Sequence, residues 1–160
     1  MPLKNRKYPR LKNNEIYSTP GMVAHIIIGV LNKKPYFKKH EYADAIIQII
    51  IETAKEKNNK LYVYCVMPDH IHILAESSEN CSIIDYVRLV KGRFSARCRD
   101  AGWSIRFQRS FYDHIVRKNE DIEELSRYIL GNPVRAGIAS SFGKYPFAGS
   151  MVFNLKTGGI

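Results

Sequence analysis

Cysteine is scarce in this 160-residue chain: there are three, Cys65, Cys81 and Cys98, with no CxxC pair. An odd count without pairing indicates neither a disulfide framework nor a zinc ribbon. Long apolar runs are missing too; stretches such as Ile26–Ile28 and Ile49–Ile51 fall far short of a membrane span. No basic, apolar and small-residue succession marks the N-terminus as a signal peptide. The chain has no internal repeat and no linker long enough to separate two domains. Acids are outnumbered, 15 Asp and Glu against 25 Lys and Arg, which gives a net charge of +10. With 45% hydrophobic residues the composition is globular. A cytoplasmic protein with no membrane partner is expected, and its charge points to a polyanion.

The cations are clustered. Lys4, Arg6, Lys7, Arg10 and Lys12 precede the first acid, and Lys33, Lys34, Lys38 and Lys39 crowd a later loop. Seven lie between Arg88 and Arg109, opposed only by Asp100. A single charge run is commonly a solvated face. Three in so short a chain favour a phosphate-binding surface. Residues 1–20, punctuated by Pro2, Pro9 and Pro20, read as a basic arm, 21–140 as the domain, and 141–160 as an unpatterned tail.

Val23–Val30 is β-branched and reads as a buried strand. From Glu41 to about Lys57, Ala43, Ile46, Ile47, Ile50 and Ala54 recur at helical spacing. Leu61–Met67 and Ile71–Leu74 read as strands separated by the turn-forming Pro68-Asp69, which predicts an antiparallel hairpin. Ser82 and Asp85 open a second helix with the stripe Ile83, Val87, Val90 and Phe94, and Gly102 ends it. A short strand falls within Ile105–Val116. A third helix starts near Asn119 and breaks at Asn132-Pro133. This order predicts an α+β, ferredoxin-like or RRM-like antiparallel sheet with helices on one face, an added C-terminal helix, and the other face left for a ligand.

Two constellations carry chemistry. His70 and His72 are two apart on a strand, so both imidazoles share a face while Ile71 and Ile73 point to the core. Such a pair can converge on one divalent ion or simply decorate a strand. Tyr128 and Asn132 are four apart on a helix and share its face. They can serve one site, or Tyr128 can pack its ring while Asn132 caps a short turn beginning at Pro133. His25 can face the site or fill the core. Trp103 reads as a core plug.

Tyr64-Cys-Val-Met-Pro-Asp-His-Ile-His-Ile-Leu74 resembles the MPNHxH strand of HUH single-tyrosine transposases. Tyr128-Ile-Leu-Gly-Asn-Pro-Val-Arg-Ala-Gly137 resembles the YIxxNPxRAG segment of their REP-associated tyrosine transposase branch. Val90-Lys-Gly-Arg-Phe94 and Phe107-Gln-Arg-Ser-Phe-Tyr-Asp-His114 are similar to family segments as well, and the set runs in order from about Gly21 to Tyr145. Asp69 stands where the family commonly has Asn.

The resemblance implies that His70 and His72 bind Mg²⁺ or Mn²⁺, with Asn132 as a third polar ligand. It implies that Tyr128 attacks a phosphodiester of single-stranded or hairpin DNA, forming a 5′-phosphotyrosine and a free 3′-hydroxyl. Arg88, Lys91, Arg93, Arg97 and Arg99, with Arg6, Lys7 and Arg10 of the arm, are the expected phosphate contacts. Asp113 and His114 are expected to support the site from an adjacent strand. A homodimer, with Tyr128 acting within or between subunits, stays open. So do a non-catalytic RRM-like nucleic-acid-binding protein, a domesticated transposase that no longer mobilises DNA, and a nuclease that uses water.

Overall fold

The computed structural model describes residues 19–157 and Ile160. Arg6, Lys7 and Arg10 therefore lie outside the described residues. In chain order the elements are β1 (Val23–Gly29), α1 (His40–Lys57), β2 (Lys60–Val66), β3 (His70–Glu76) and α2 (Ile83–Ala101). β4 (Tyr112–Ile115), α3 (Ile122–Leu130), α4 (Asn132–Arg135) and β5 (Ala148–Ser150) follow. The strands form one antiparallel sheet in the order β4-β1-β3-β2-β5. The expected ferredoxin-like core is present, with β5 added at the β2 edge.

Local chemistry explains the boundaries. Ser82 accepts from the Asp85 backbone N–H and so starts α2, and Gly102 ends it at φ 72°, a left-handed conformation that glycine adopts without a Cβ clash. α1 lacks a side-chain cap at its start and ends on Asn58, also left-handed at φ 57°. The third helix begins later than expected, because Asp121 rather than Asn119 caps it, accepting from the N–H groups of Glu123 and Glu124.

The first face of the sheet is the main core. Ile26, Ile28, Ile71 and Ile73 meet Ile46 and Ile50 of α1 and Val87, Val90 and Phe94 of α2. All are at most 1% exposed, and each such side chain contributes about 1.5–3 kcal/mol through burial.

The second face is not left open. α3 lies across it, packing Ile129 and Leu130 onto Tyr62, Val63, Cys65 and Leu74. A register shift in β2 between Leu61 and Val63 lets the consecutive residues Tyr62 and Val63 join the same cluster. The C-terminal tail is also structured where the sequence showed no pattern. Val66 N–H donates to the Phe147 carbonyl, and β5 pairs with β2 through Val63, Tyr64 and Cys65. Gly149 is required there because a Cβ would collide with the Tyr64 ring and hydroxyl. Three residues of unremarkable composition gave no periodicity to read. Among the described residues no helix is long and apolar enough to cross a membrane.

Candidate active site

The β3 register fixes where the histidines go. Since Ile71 and Ile73 fill the main core, His70, His72 and Leu74 project to the second face. His72 pairs with Ile27 on one side and Cys65 on the other, placing it at the centre of the sheet. His72 is therefore 6% exposed rather than displayed on an open surface, because the second face is covered. His70, one pair further along, keeps part of its ring in solvent.

The two rings converge. Their Nε2 atoms are 3.1 Å apart, with the ring planes at 75°. Asp69 Oδ1 lies 2.6 Å from His70 Nδ1, and His72 Nδ1 lies 3.0 Å from His25 Nε2. With Asp69 accepting from His70 Nδ1–H, the lone pair of His70 falls on Nε2 and faces His72. If His72 donates from Nδ1 to His25, two lone pairs oppose each other, an arrangement that calls for a cation or proton between them.

His25 is both buried, at 6% exposure, and at the site. Its ring stacks on His72 with centroids 5.3 Å apart. Burial depresses the pKa of His72 strongly, with smaller contributions from His25, His70 and the charge of Arg135. Burial, then His114, lowers His25 to about 4. Both imidazoles stay neutral at physiological pH, the form that can ligate a metal.

The sign of the stability effect follows. Each group is harder to protonate folded than unfolded, where its pKa is about 6.5. The stability from these neutral rings is present above that value and declines as pH falls toward about 4. Thermal melts of metal-free protein should therefore fall from pH 7 to pH 4, with a shallower slope in His25→Asn. A melting temperature flat across that range would contradict the assignment.

Tyr128 lies near the end of α3, 45% exposed. Asn132 is the first residue of α4, whose cap position is Gly131, so Asn132 does not cap the turn. Pro133 has no N–H to offer the Ile129 carbonyl, and Asn132 Nδ2 donates to it instead at 3.1 Å. Asn132 Oδ1 accepts from Arg135 Nη2 at 2.8 Å. The atom that a metal would need from Asn132 is thus engaged by Arg135. The Arg135 guanidinium stacks 4.2 Å from the Tyr128 ring centroid, and its charge also acts on His72 and Cys65.

His114, registered with His25 on the same face, bonds Glu120 at 2.9 Å through Nε2. Asp113 is registered with Ile26 and so belongs to the opposite face. The expected joint support from Asp113 and His114 is therefore divided between two faces by the strand alternation.

The basic residues of α2 are partly spoken for. Arg93 bonds Glu56 at 2.6 Å and Thr53 at 3.0 Å, tying α2 to α1. Arg88 pairs with Asp85, and Lys91 donates to the carbonyls of Gln108 and Arg109. Arg97 and Arg99 make no such pairings among the described residues. Arg99 joins Lys91, Trp103, Arg106 and Arg109 around a groove of about 550 Å³.

Sequence reasoning missed Asp69 and Arg135 as partners of the site and left His25 open between site and core. Asp69 could have been found from its position next to His70, while His25 needed the sheet register and Arg135 the α4 turn.

The family model for IS200-like transposases matches residues 18–132. A Haemophilus influenzae protein named as a candidate REP-associated tyrosine transposase is 27% identical over 96 residues, 52% of this chain. The match spans about half of that relative, 54% of its length. The solved structure of a REP-associated tyrosine transposase bound to a REP hairpin superposes with a TM-score of 0.71 at 20% identity. That superposition covers 89% of this chain and 81% of the other. A candidate transposase from Deinococcus radiodurans gives 0.53 at 22% identity, over 79% and 94% of the two chains. These likenesses show a shared fold. With the family model covering most of its length, this chain belongs to the IS200-like transposase family.

Proposed function

We propose that this protein cleaves and rejoins single-stranded or hairpin DNA through a covalent tyrosine intermediate, with Tyr128 as the nucleophile. The observation that carries the reading is the convergence of His70 and His72, Nε2 to Nε2 at 3.1 Å, on the sheet face covered by the Tyr128 helix. The two converging imidazoles fit a divalent cation, Mg²⁺ or Mn²⁺. Among the described residues no group of three or more His, Cys, Asp or Glu is arranged to hold one. Further ligands would come from water and phosphate oxygens, because Asn132 Oδ1 is held by Arg135. When bound, the ion would supply Lewis-acid stabilisation of charge on the phosphate.

The chain's own residues do the rest. Tyr128 Oη attacks phosphorus in line, forming the tyrosyl O–P bond as the P–O3′ bond breaks. The phenolic proton passes to solvent, and the departing 3′ oxygen takes up a proton. The 5′-phosphate is left on Tyr128. Attack by a 3′-hydroxyl on that ester reverses the step and rejoins the strand, so no nucleotide cofactor is consumed. Asp69 and His25 hold His70 and His72 in orientation.

The test is incubation with labelled single-stranded and hairpin DNA and Mn²⁺, followed by denaturing electrophoresis. A labelled protein band that disappears with a chelator is expected. Cleavage without any adduct would point to a water-using nuclease, and binding without cleavage to a non-catalytic module.

Phosphate contacts are assigned to Arg97 and Arg99, with Arg106 and Arg109 of the adjoining groove. Arg88, Lys91 and Arg93 contribute less because their donors serve internal partners. Affinity for DNA should fall steeply with salt. Arg99→Ala and Arg106→Ala should each reduce the log–log slope by about one unit, against almost no change for Arg93→Ala. Salt-titrated anisotropy checks this, and equal slopes for all three variants would refute the assignment.

A further inference from the structure

We propose that Arg135 is a positioning residue of the cleavage reaction, fixing the Tyr128 ring and the Asn132 amide in the arrangement from which Tyr128 attacks. The inference rests on Tyr128 being the nucleophile and adds the group that orients it.

Tyr128 needs such a group. Its side chain is 45% exposed, and its hydroxyl makes no hydrogen bond to the described residues. An exposed ring of this kind changes rotamer on the picosecond to nanosecond timescale unless something holds it. Arg135 is seven residues later, two helical turns on, and its side chain folds back over the α3–α4 junction. The guanidinium carbon lies 4.2 Å from the ring centroid. Nη2 donates to the Tyr128 backbone carbonyl and, at 2.8 Å, to Asn132 Oδ1. One planar group thus contacts the ring, the backbone of the same residue, and the neighbouring amide.

Two sequence features make this possible. Pro133 withholds an N–H from Ile129, so Asn132 Nδ2 is drawn to that carbonyl and Oδ1 is turned toward Arg135. Gly131 leaves the space that the guanidinium occupies; a Cβ there would stand 2.8 Å from Arg135 Nη1 and 3.2 Å from the Arg127 carbonyl. Gly131 has an ordinary helical φ of −82°, so the backbone does not demand glycine. The room does. Lysine cannot replace the arrangement, because a point charge on a flexible stem does not stack and fork in one plane.

Single-turnover adduct formation with labelled single-stranded DNA and Mn²⁺ is compared in the parent, Arg135→Ala, Arg135→Lys and Gly131→Ala. Ring order at Tyr128 is read separately by relaxation of ¹³C-labelled tyrosine, the signal assigned with Tyr128→Phe. Arg135→Ala should slow adduct formation about 10- to 100-fold, the scale of a misplaced reacting group, with DNA affinity little changed. Added guanidinium ion should restore part of that rate, and Arg135→Lys should not. Gly131→Ala keeps the arginine but displaces it, and should slow the reaction and loosen the ring together. An unchanged rate in Arg135→Ala, or a loss lying wholly in DNA affinity, overturns the proposal; the latter would make Arg135 a phosphate contact. Should the parent form no adduct, the nucleophile assignment fails. Ring order then decides separately whether Arg135 clamps Tyr128, and an equally ordered ring in Arg135→Ala and Gly131→Ala refutes the clamp.

Discussion

Tyr128→Phe should eliminate both strand cleavage and the covalent protein–DNA adduct while leaving the fold and DNA binding intact. The substitution removes one hydroxyl from a ring that is 45% exposed, so the stability change should stay within about 0.5 kcal/mol. The stacking of Arg135 on the ring face needs no hydroxyl and should persist. Other tyrosines are poorly suited to replace it. Tyr145 donates its hydroxyl to the Val66 carbonyl, and burial pushes its pKa up to about 12. Tyr62 is bonded to Glu76, and Tyr86 is fully buried with its hydroxyl on the Ile50 carbonyl. Burial raises all three, and a phenol harder to ionise is a weaker nucleophile. Tyr112 registers with Ile27 on the histidine face and is the rival to watch. A surviving adduct in Tyr128→Phe would direct attention there.

His70→Ala should abolish Mn²⁺ binding and reduce cleavage to background. One of two converging imidazoles is then gone, and a single histidine holds a divalent ion weakly. His70 keeps part of its ring in solvent, so the variant should fold and its metal affinity can be measured directly by Mn²⁺ electron paramagnetic resonance. His72→Gln should match it in metal binding but lose more stability, since His72 is buried between His70 and His25. Asp69→Ala leaves both ligands and removes only the acceptor on His70 Nδ1, so affinity should drop about 10- to 100-fold. Undiminished Mn²⁺ binding in His70→Ala would place the ion elsewhere.

The sequence by itself determined the ferredoxin-like element order, because its signals are local. A β-branched run marks β1, helical apolar spacing marks α1 and α2, Ser82 and Gly102 bound α2, and Pro68-Asp69 turns the β2–β3 hairpin. Period-two and period-four spacing placed His70 with His72 and Tyr128 with Asn132 on shared faces, and the resemblance to a known family, rather than the spacing, gave those pairs their expected roles.

Tertiary structure alone decided what those faces meet. Whether the second sheet face is open depends on where α3 docks, a contact between segments far apart in the chain, and its docking buries His72. The pairing of His25 with His72 spans 47 residues and follows from the β1–β3 register. β5 joins the sheet by backbone bonds and the fit of Gly149 against Tyr64, neither of which leaves a hydrophobic period. The fold of Arg135 back over Tyr128 needs the space at Gly131 and the N–H missing at Pro133. Arg93 and Lys91 read as free cations because charge is visible in a sequence. Their partners Glu56, Gln108 and Arg109 become neighbours only when α2 packs on α1 and on the segment before β4.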